Sequence, residues 1–527
     1  MMAASAMAAS KPSLFLIVGD DMGWANAGWH SNHTLTPAMD AIVKDEAIEL
    51  NRHYVFFYCS PSRSSMLTGR LPMHVTEDND NACTQEGAVP RAMTTIAAKL
   101  MAAGYETHHI GKWHLGQNHP GSLPINRGFT HSFGYLGGAE DHYTNTNNGC
   151  GNCGTKVDLW RDYKPAKGEQ GGEFAAYKYD REAVRVIKAH TSGMPLFMYL
   201  ALQCAHAPNE PDRFGQLYPN ASYTKDFADY NGMISAVDSA VSNVTRALKE
   251  VGLWANSLVT FTSDNGGPAA KSVSGHAANN WPLRGGKHTA WEGGHRVLAW
   301  VAGGLVPPSR RGTALDGFVH GADWYATFAG LAGVDATDDV PGLPGTDSID
   351  MWAYLSGAVA ASPRTEVPLA SASAAVPTGA LRPNGNGSAA LIVGEYKLVR
   401  FEQQYCMWTG PVYPNASTTH AGEEHCDCGA GGCLYNIFDD PSESHDLAAK
   451  LPDVAARLRA RAEALDATAL DFIKGSGWRG ANQPEKACMM AESTWGGFWG
   501  PEFSSSGAGD ASSSTTPIVE MSAPRDT

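Results

Sequence analysis

Between about residues 13 and 335, short apolar runs alternate with amphipathic stretches of helical period, and that alternation leaves few architectures open. The runs 13–18, 107–110, 196–202, 258–262 and 297–302 predict strands. Between them, 94–103 before Gly104, 178–190, and 226–251 before Gly252 predict helices. The last is the clearest, with Ile234, Val237, Val241, Val244 and Leu248 at spacings of three and four, one apolar stripe on a 3.6-residue turn. Strands apolar on both faces need cover on both faces, and the intervening helices supply it. The expectation is an α/β fold with a mostly parallel sheet flanked by helices.

The pattern changes past residue 355. Residues 356–390 are rich in Ala, Ser, Pro and Gly and read as a linker. Residues 390–400 read as a hairpin and 454–465 as a helix, a smaller α+β domain over 391–502. Residues 503–527 are polar and low in complexity, an expected disordered tail. The large domain then spans 11–355. A chain of 527 residues with 43% apolar and 18% charged side chains has the material for such cores.

Open parallel sheets place ligands beyond the carboxyl ends of their strands, so the residues after each predicted strand matter most. Gly19, Asp20 and Asp21 follow the first run, and Asp264 and Asn265 follow the fourth. Lys112 and His114 follow the second, and Gln203, Cys204, Ala205 and His206 the third. Asp20-Asp21 alone reads as a cap or turn, and Asp264 to Gly267 as an ordinary turn. Together at matching strand ends, three carboxylates and an amide make a hard-cation site, with Ca²⁺ favoured over Mg²⁺ because every donor comes from protein. Lys112 and His114 are two apart, so an extended backbone puts both on one side. His206 and Lys287 supply further donors. His30, His33, His108, His109, His119, His131 and His142 lack such context and read as surface or core.

Cys59 opens the run Cys59-Ser60-Pro61-Ser62-Arg63, which continues to Leu67-Thr68-Gly69-Arg70. A lone Cys before a helix is usually a buried packing residue. Here the local sequence predicts more. Pro61 suits a first helical turn, residues 62–67 continue the helix, and Gly69 ends it. Cys59 then sits just ahead of a helix N-terminus, where unpaired N–H groups and the positive dipole end favour an anion such as sulfate. Arg63 lies about one turn further in and can turn its planar fork toward the same anion.

Charge and cysteine content bound the partners. A formal net charge of −15 opposes nucleic-acid binding, which needs a basic footprint. No apolar run approaches the roughly 20 residues of a membrane helix, and the first ten residues are a poor secretion signal. Yet there are ten cysteines and five sequons, at Asn32, Asn220, Asn243, Asn386 and Asn415. If Cys59 is converted and Cys204 stays buried, eight remain: Cys83, Cys150, Cys153, Cys406, Cys426, Cys428, Cys433 and Cys488. An even number suits disulfides in an oxidising compartment. The rival is zinc, because Cys150 and Cys153 form a CxxC, but Cys426, Cys428 and Cys433 are irregularly spaced as its partners.

These motifs resemble the sulfatase family. The Cys59 run matches its signature, and the likeness extends to Gly19-Asp20-Asp21, Gly111-Lys112-Trp113-His114, Ala205-His206, Asp264-Asn265-Gly266-Gly267 and Arg284-Gly285-Gly286-Lys287. The runs 280–285 and 132–137 look most like arylsulfatase B, the N-acetylgalactosamine-4-sulfatase type, and its near relatives. The resemblance covers about 13–355, and more weakly 438–447. It implies an alkaline-phosphatase-like domain followed by a small domain with an antiparallel sheet. It implies that a formylglycine-generating enzyme oxidises Cys59 to formylglycine, and that Asp20, Asp21, Asp264 and Asn265 hold Ca²⁺ with the modified Cys59 near the ion. Arg63, Lys112, His114, His206 and Lys287 would line a sulfate pocket. In that family one hydroxyl of the aldehyde hydrate attacks sulfur, with Asp264 a candidate base, and His206 or Lys287 protonates the leaving alcohol. A base at the position of His114 then takes the remaining hydroxyl proton, which expels sulfate. The substrate would be a sulfated small molecule or glycan, and the location secretory, lysosomal or extracellular. A long-range family disulfide resembles Cys83 with Cys488, and a local Cys150–Cys153 bridge stays open. Two rivals remain: a phosphatase or phosphonate hydrolase of the same superfamily, and a non-catalytic sulfo-glycan-binding protein in which Cys59 stays a thiol.

Overall fold

The computed structural model describes residues 11–501 apart from 80–82, 84–86, 150–152, 192, 211–212, 220–223, 271–272, 274–276, 373–388, 408–425 and 471–482. Five parallel strands form the middle of a ten-stranded sheet, in the order Ser257–Ser263, Ser13–Gly19, Leu196–Ala201, Glu106–Lys112, His131–Tyr135. Every residue of Ser13–Gly19, Leu196–Ala201 and Ser257–Ser263 is buried. The period-two alternation of a strand explains how one apolar run serves two layers. Phe15, Ile17, Leu200 and Phe261 face the helices Ala175–Ala189 and Lys225–Glu250. Leu14, Leu16, Val18 and Phe197 face Met66 and Leu67 of the helix Cys59–Thr68, Leu100 of Ile96–Ala102, and Phe328 of Asp323–Ala332.

The predicted helices lie where the stripe and caps put them. Ile234, Val237, Val241, Val244 and Leu248 are all fully buried, each contributing about 1.5–3 kcal/mol relative to exposure. Thr224 accepts the N–H of Phe227 and Thr95 that of Ala98, closing two helix N-termini. Gly69 ends the Cys59–Thr68 helix at φ 69°, in the left-handed region. Among the described residues, no helix is long and apolar enough to cross a membrane.

The run 297–302 is not one strand. Arg296–Val297 pairs with His53–Tyr54 in a separate three-stranded sheet, and Ala299–Ala302 joins the main sheet antiparallel to Ser257–Ser263. Leu298 is the corner, its carbonyl accepting the Ser263 N–H. All of these residues are buried, so hydropathy alone carries no sign of the bend.

A second sheet is antiparallel throughout, in the order Glu366–Ala370, Ala389–Val393, Tyr396–Arg400, Cys433–Asn436. Its first strand falls inside the segment read as a linker. Pro368 and the flanking Ala-rich sequence hid it, and Pro is tolerated there because the strand is at the sheet edge. The helix Pro452–Asp466 covers one face through Ala455 and Leu458. The other face, with Val367, Leu369, Ile392 and Val399, packs on Tyr54, Trp291 and Phe318 of the large sheet's surroundings. The tail 503–527 lies outside the described residues.

The cysteine pairing differs from the expectation. Cys488 is bonded to Cys153, with Cα atoms 5.5 Å apart, rather than to Cys83. Cys83 is itself disulfide-bonded and packs in the same cluster. The neighbourhood is therefore as read, but spacing along the chain cannot separate partners that share one cluster. Cys153 is thereby excluded from a local bridge to Cys150 and from a zinc CxxC. Cys406 pairs with Cys426 and Cys428 with Cys433, while Cys59 and Cys204 are buried thiols. Of the sequons, Asn220, Asn386 and Asn415 lie outside the described residues. Asn32 is exposed, and Asn243 donates to Asp180 from within a helix at 2.5 Å.

Candidate active site

Four adjacent parallel strands end on the same edge of the sheet, and the turns after them are stitched together by backbone bonds. Asp20 N–H donates to the Cys204 carbonyl at 3.0 Å, Ala205 N–H to the Asp20 carbonyl at 2.6 Å, and Asp264 N–H to the Gly19 carbonyl at 3.1 Å. Tyr230 OH donates to the Asp21 carbonyl at 2.5 Å. Asp21 and His114 take left-handed backbone conformations, φ 59° and 58°. Non-glycine residues adopt these at a cost of about 1–3 kcal/mol, which surrounding structure must offset. For His114 this also corrects the reading of 112–114 as extended.

Cys59 is the first residue of its helix rather than the one before it, with Tyr58 as N-cap. Its position is fixed from several sides. Tyr58 OH donates to the Glu77 carbonyl. Ser60 N–H donates to Asn79 Oδ1 at 3.2 Å, and Ser60 Oγ to the His114 carbonyl at 2.8 Å. The Cys59 Sγ then lies 3.7 Å from Asp20 Oδ1. Burial pushes the thiol up to about 12, despite Lys112 and Lys287 nearby. An unmodified Cys59 therefore stays protonated at neutral pH, and a thiol is a poor nucleophile.

Around Cys59 three acids and three cations are paired. Lys112 Nζ is 2.6 Å from Asp20 Oδ2. Lys287 Nζ is 2.7 Å from Asp21 Oδ1. Arg63 donates Nε to Asp264 Oδ2 at 2.9 Å, sets Nη2 3.3 Å from Asp20 Oδ2, and places Nη1 3.2 Å from the Tyr199 hydroxyl. His206 Nε2 stands 3.9 Å from Asp21 Oδ2, its Nδ1 held 2.8 Å from the Ala207 carbonyl. Burial pushes Asp20 up, but Lys112, His206 and Arg63 outweigh it and leave the carboxyl below its ordinary range. Asp21 is likewise lowered, burial being outweighed by Lys287 and His206. Burial and Lys287 together lower His206.

The donor set fits a hard divalent cation. Asp20, Asp21, Asp264 and Cys59 each offer a ligand atom, all within 4.8 Å of one another and all buried. Asn265 donates Nδ2 to Asp21 Oδ1 at 2.7 Å. Its Oδ1 is buried with no hydrogen-bond partner among the described residues, which is what a ligand oxygen looks like without its ion.

The structure thus brings Asp20, Asp21, Cys59, Arg63, Lys112, Asp264, Asn265 and Lys287 to one buried cage, with the part-buried His206 at its edge. His114 reaches the same strand end, linked to Ser60 through its carbonyl. Its ring packs against Gly138, where an added Cβ would come within 2.6 Å of Nε2. Sequence reading missed the supports: Tyr199 beneath Arg63, Asn79 and the Glu77 carbonyl on the N-terminal turn of the helix, and Tyr405, whose OH donates to the Lys287 carbonyl at 2.8 Å. Only Tyr199 carried a signal, a polar tip within an otherwise apolar strand.

A parallel sheet with a buried acid–cation cage and a helix-borne cysteine at its carboxyl edge defines an alkaline-phosphatase-like α/β hydrolase of anionic esters. A family model described as Sulfatase matches residues 12–334. Arylsulfatase J of Mus musculus is 31% identical over 509 residues, covering 93% of this chain and 80% of that protein. N-acetylgalactosamine-6-sulfatase of Sus scrofa is 27% identical over 469 residues, covering 83% and 81%. Among solved structures, Ps i-CgsB in complex with k-i-k-neocarrahexaose is similar at TM-score 0.70 and 26% identity, over 89% of this chain and 97% of that one. Phosphonate monoester hydrolase of Agrobacterium radiobacter shares the fold at TM-score 0.56 and 18% identity, over 87% and 96%. The chain belongs to the sulfatase family, and it is a sulfatase.

Proposed function

We propose that this sulfatase releases sulfate from a sulfated glycan, with Cys59 converted to formylglycine and Ca²⁺ held by Asp20, Asp21, Asp264 and Asn265. The observation that carries the reading is Cys59 as first residue of its helix, 3.7 Å from Asp20, inside a cage of paired acids and cations. A formylglycine there supplies a hydrated aldehyde oxygen as nucleophile, in place of a thiol that burial keeps protonated. A divalent ion on the four oxygen donors supplies positive charge toward the sulfuryl oxygens. Lys112, Lys287 and Arg63 orient the sulfate group and offset charge on its oxygens as the S–O bond breaks. Asp264 takes the proton of the attacking hydroxyl, and His206 or Lys287 gives one to the leaving alcohol oxygen. His114 is the base that releases sulfate.

Glycan as substrate is supported by the relatives, one in complex with k-i-k-neocarrahexaose and one named N-acetylgalactosamine-6-sulfatase. The disulfides support an oxidising compartment, hence a secretory route ending in the lysosome or outside the cell. In this reading 11–355 is the catalytic domain and 391–502 its smaller companion, with Trp291 and Tyr405 joining the two beside Lys287. The test has two arms. Peptide mass spectrometry of protein from its native host should find Cys59 as the aldehyde, and a panel of defined sulfated oligosaccharides should release sulfate. A thiol mass at Cys59 overturns the mechanism, and a clear preference for aryl phosphate over aryl sulfate overturns the reaction.

A further inference from the structure

Far from Cys59, at the amino-terminal ends of two sheet strands, histidines and a glutamate gather. Glu106 begins the Glu106–Lys112 strand, His108 follows on it, and His131 begins the neighbouring His131–Tyr135. Ligand atoms of Glu106, His108 and His131 all lie within 4.8 Å of one another. They line a cleft of about 200 Å³ with Asp162, Glu182 and His190. We infer that this cleft is a second metal site, for a borderline divalent ion of the Zn²⁺ type.

The plain alternative is a hydrogen-bond network that closes the sheet. His108 Nε2 sits 2.8 Å from Glu106 Oε1, and His190 Nδ1 sits 3.0 Å from Glu106 Oε2. That network, however, does not use His131. The His131 ring stacks on His108 with centroids 5.0 Å apart, and its side chain makes no hydrogen bond among the described residues. Its Nδ1 lies 3.9 Å from Asp162 Oδ1, which offers a second carboxylate beside the three donors. His190 meanwhile plays the outer role typical of metal sites. It holds the far oxygen of Glu106 and is itself set by the Met194 carbonyl, 2.8 Å from its Nε2.

Two imidazoles and a carboxylate suit Zn²⁺ and its neighbours, and do not suit Ca²⁺, which takes six to eight oxygens. Ligand atoms of a tetrahedral Zn²⁺ lie about 3.3 Å apart given bonds of about 2.0–2.2 Å. The present spacing is therefore reached by small side-chain shifts. Glu106 and Lys112 are separated by six residues of strand, about 20 Å at roughly 3.3 Å per residue. An ion here pins two strands and the carboxyl end of the Ala175–Ala189 helix and takes no part in turnover.

The test is calorimetric titration of the full chain with Zn²⁺ in saturating Ca²⁺, which keeps the oxygen-rich cage filled. One Zn²⁺ should bind to the wild type, with a rise in Tm, and bind at least tenfold more weakly to His131→Gln and His108→Gln. His131 is more than half exposed, so His131→Gln should keep its Zn²⁺-free Tm and its turnover even if His108→Gln folds poorly. Absence of Zn²⁺ binding to the Ca²⁺-saturated wild type overturns the inference, as does undiminished binding to His131→Gln.

Discussion

Glu77 is the link between the Cys59–Thr68 helix and the small sheet, and its side chain should make stability depend on pH in a calculable way. Its carboxylate accepts the Ser371 N–H at 2.7 Å and also the Ser371 hydroxyl, just past the edge strand Glu366–Ala370. Burial pushes Glu77 up to about 7, outweighing the Ser371 hydrogen bonds. An unfolded glutamate titrates near 4.5, and the gap between that value and about 7 corresponds to about 3.5 kcal/mol. Below the unfolded value both states hold the proton and nothing is lost. Between about 4.5 and 7 the folded state keeps a proton that the unfolded state has released, so stability falls as pH rises. Above about 7 the loss is complete. Glu77→Gln is neutral at every pH and keeps an acceptor for Ser371. The variant should match wild type at pH 4.5 and exceed it by up to about 3.5 kcal/mol at pH 8, read as the difference between paired urea denaturations. The Tyr58 bond to this segment goes to the Glu77 backbone, so turnover at pH 5.5 should be unchanged. A Glu77→Gln effect of equal size at both pH values would refute the reasoning, because the carboxyl would then not titrate across that window.

Three further outcomes are expected. Cys59→Ala should keep the wild-type Tm within a few degrees and lose more than about a thousandfold in turnover, and substantial residual activity rules out the nucleophile. Removing divalent ions with EGTA should lower both activity and Tm, with Ca²⁺ restoring both; indifference to the chelator sinks the assignment of Asp20, Asp21, Asp264 and Asn265. Burial holds His53, His109, His288 and His295 down to about 3. These rings stay neutral when folded but bind protons when unfolded below about 6.5, so each should remove stability at up to about 1.4 kcal/mol per pH unit as pH falls. Paired thermal scans of wild type and His109→Gln from pH 6.5 to 4 check this, because the comparison cancels the opposing carboxyls: the variant should lose less Tm as pH falls, and parallel curves contradict it.

Much of the site was legible because strand ends carry it. Asp20, Asp21, Lys112, His206 and Asp264 each follow an apolar run within a few residues, so a correct strand places them without any knowledge of packing. The Cys59 helix was legible from Pro61 and Gly69, whose backbone preferences are local. What sequence could not reveal depends on partners distant in the chain. Leu298 bends a uniformly apolar run only because two different sheets compete for its neighbours. The Glu366–Ala370 strand exists because Ala389–Val393 offers it an edge, which overrides the low strand propensity of its Pro and Ala. Cys488 chose Cys153 within a cluster that also holds Cys83. His114 departs from the extended form because Ser60 and Gly138 fix it from two sides.

Arg63 shows where local reasoning needs the whole cage. On its helix alone it points toward an anion near Cys59. In the structure its guanidinium is spent on Asp264 and Asp20, as Lys112 is on Asp20 and Lys287 on Asp21. Three carboxylates and three cations leave the chain's own groups balanced, with little net pull on a sulfate ester. In the proposed reading the balance tips once the acids and Asn265 are committed to a divalent ion, for then Arg63, Lys112 and Lys287 become surplus positive charge beside Cys59. Buried and unscreened by water, that surplus is strong toward an anion, and it is absent from a protein whose cage lacks the ion. In that proposed reading, binding of the sulfate group and assembly of the cation site are one electrostatic event, set by side chains that sequence distance keeps up to 266 residues apart.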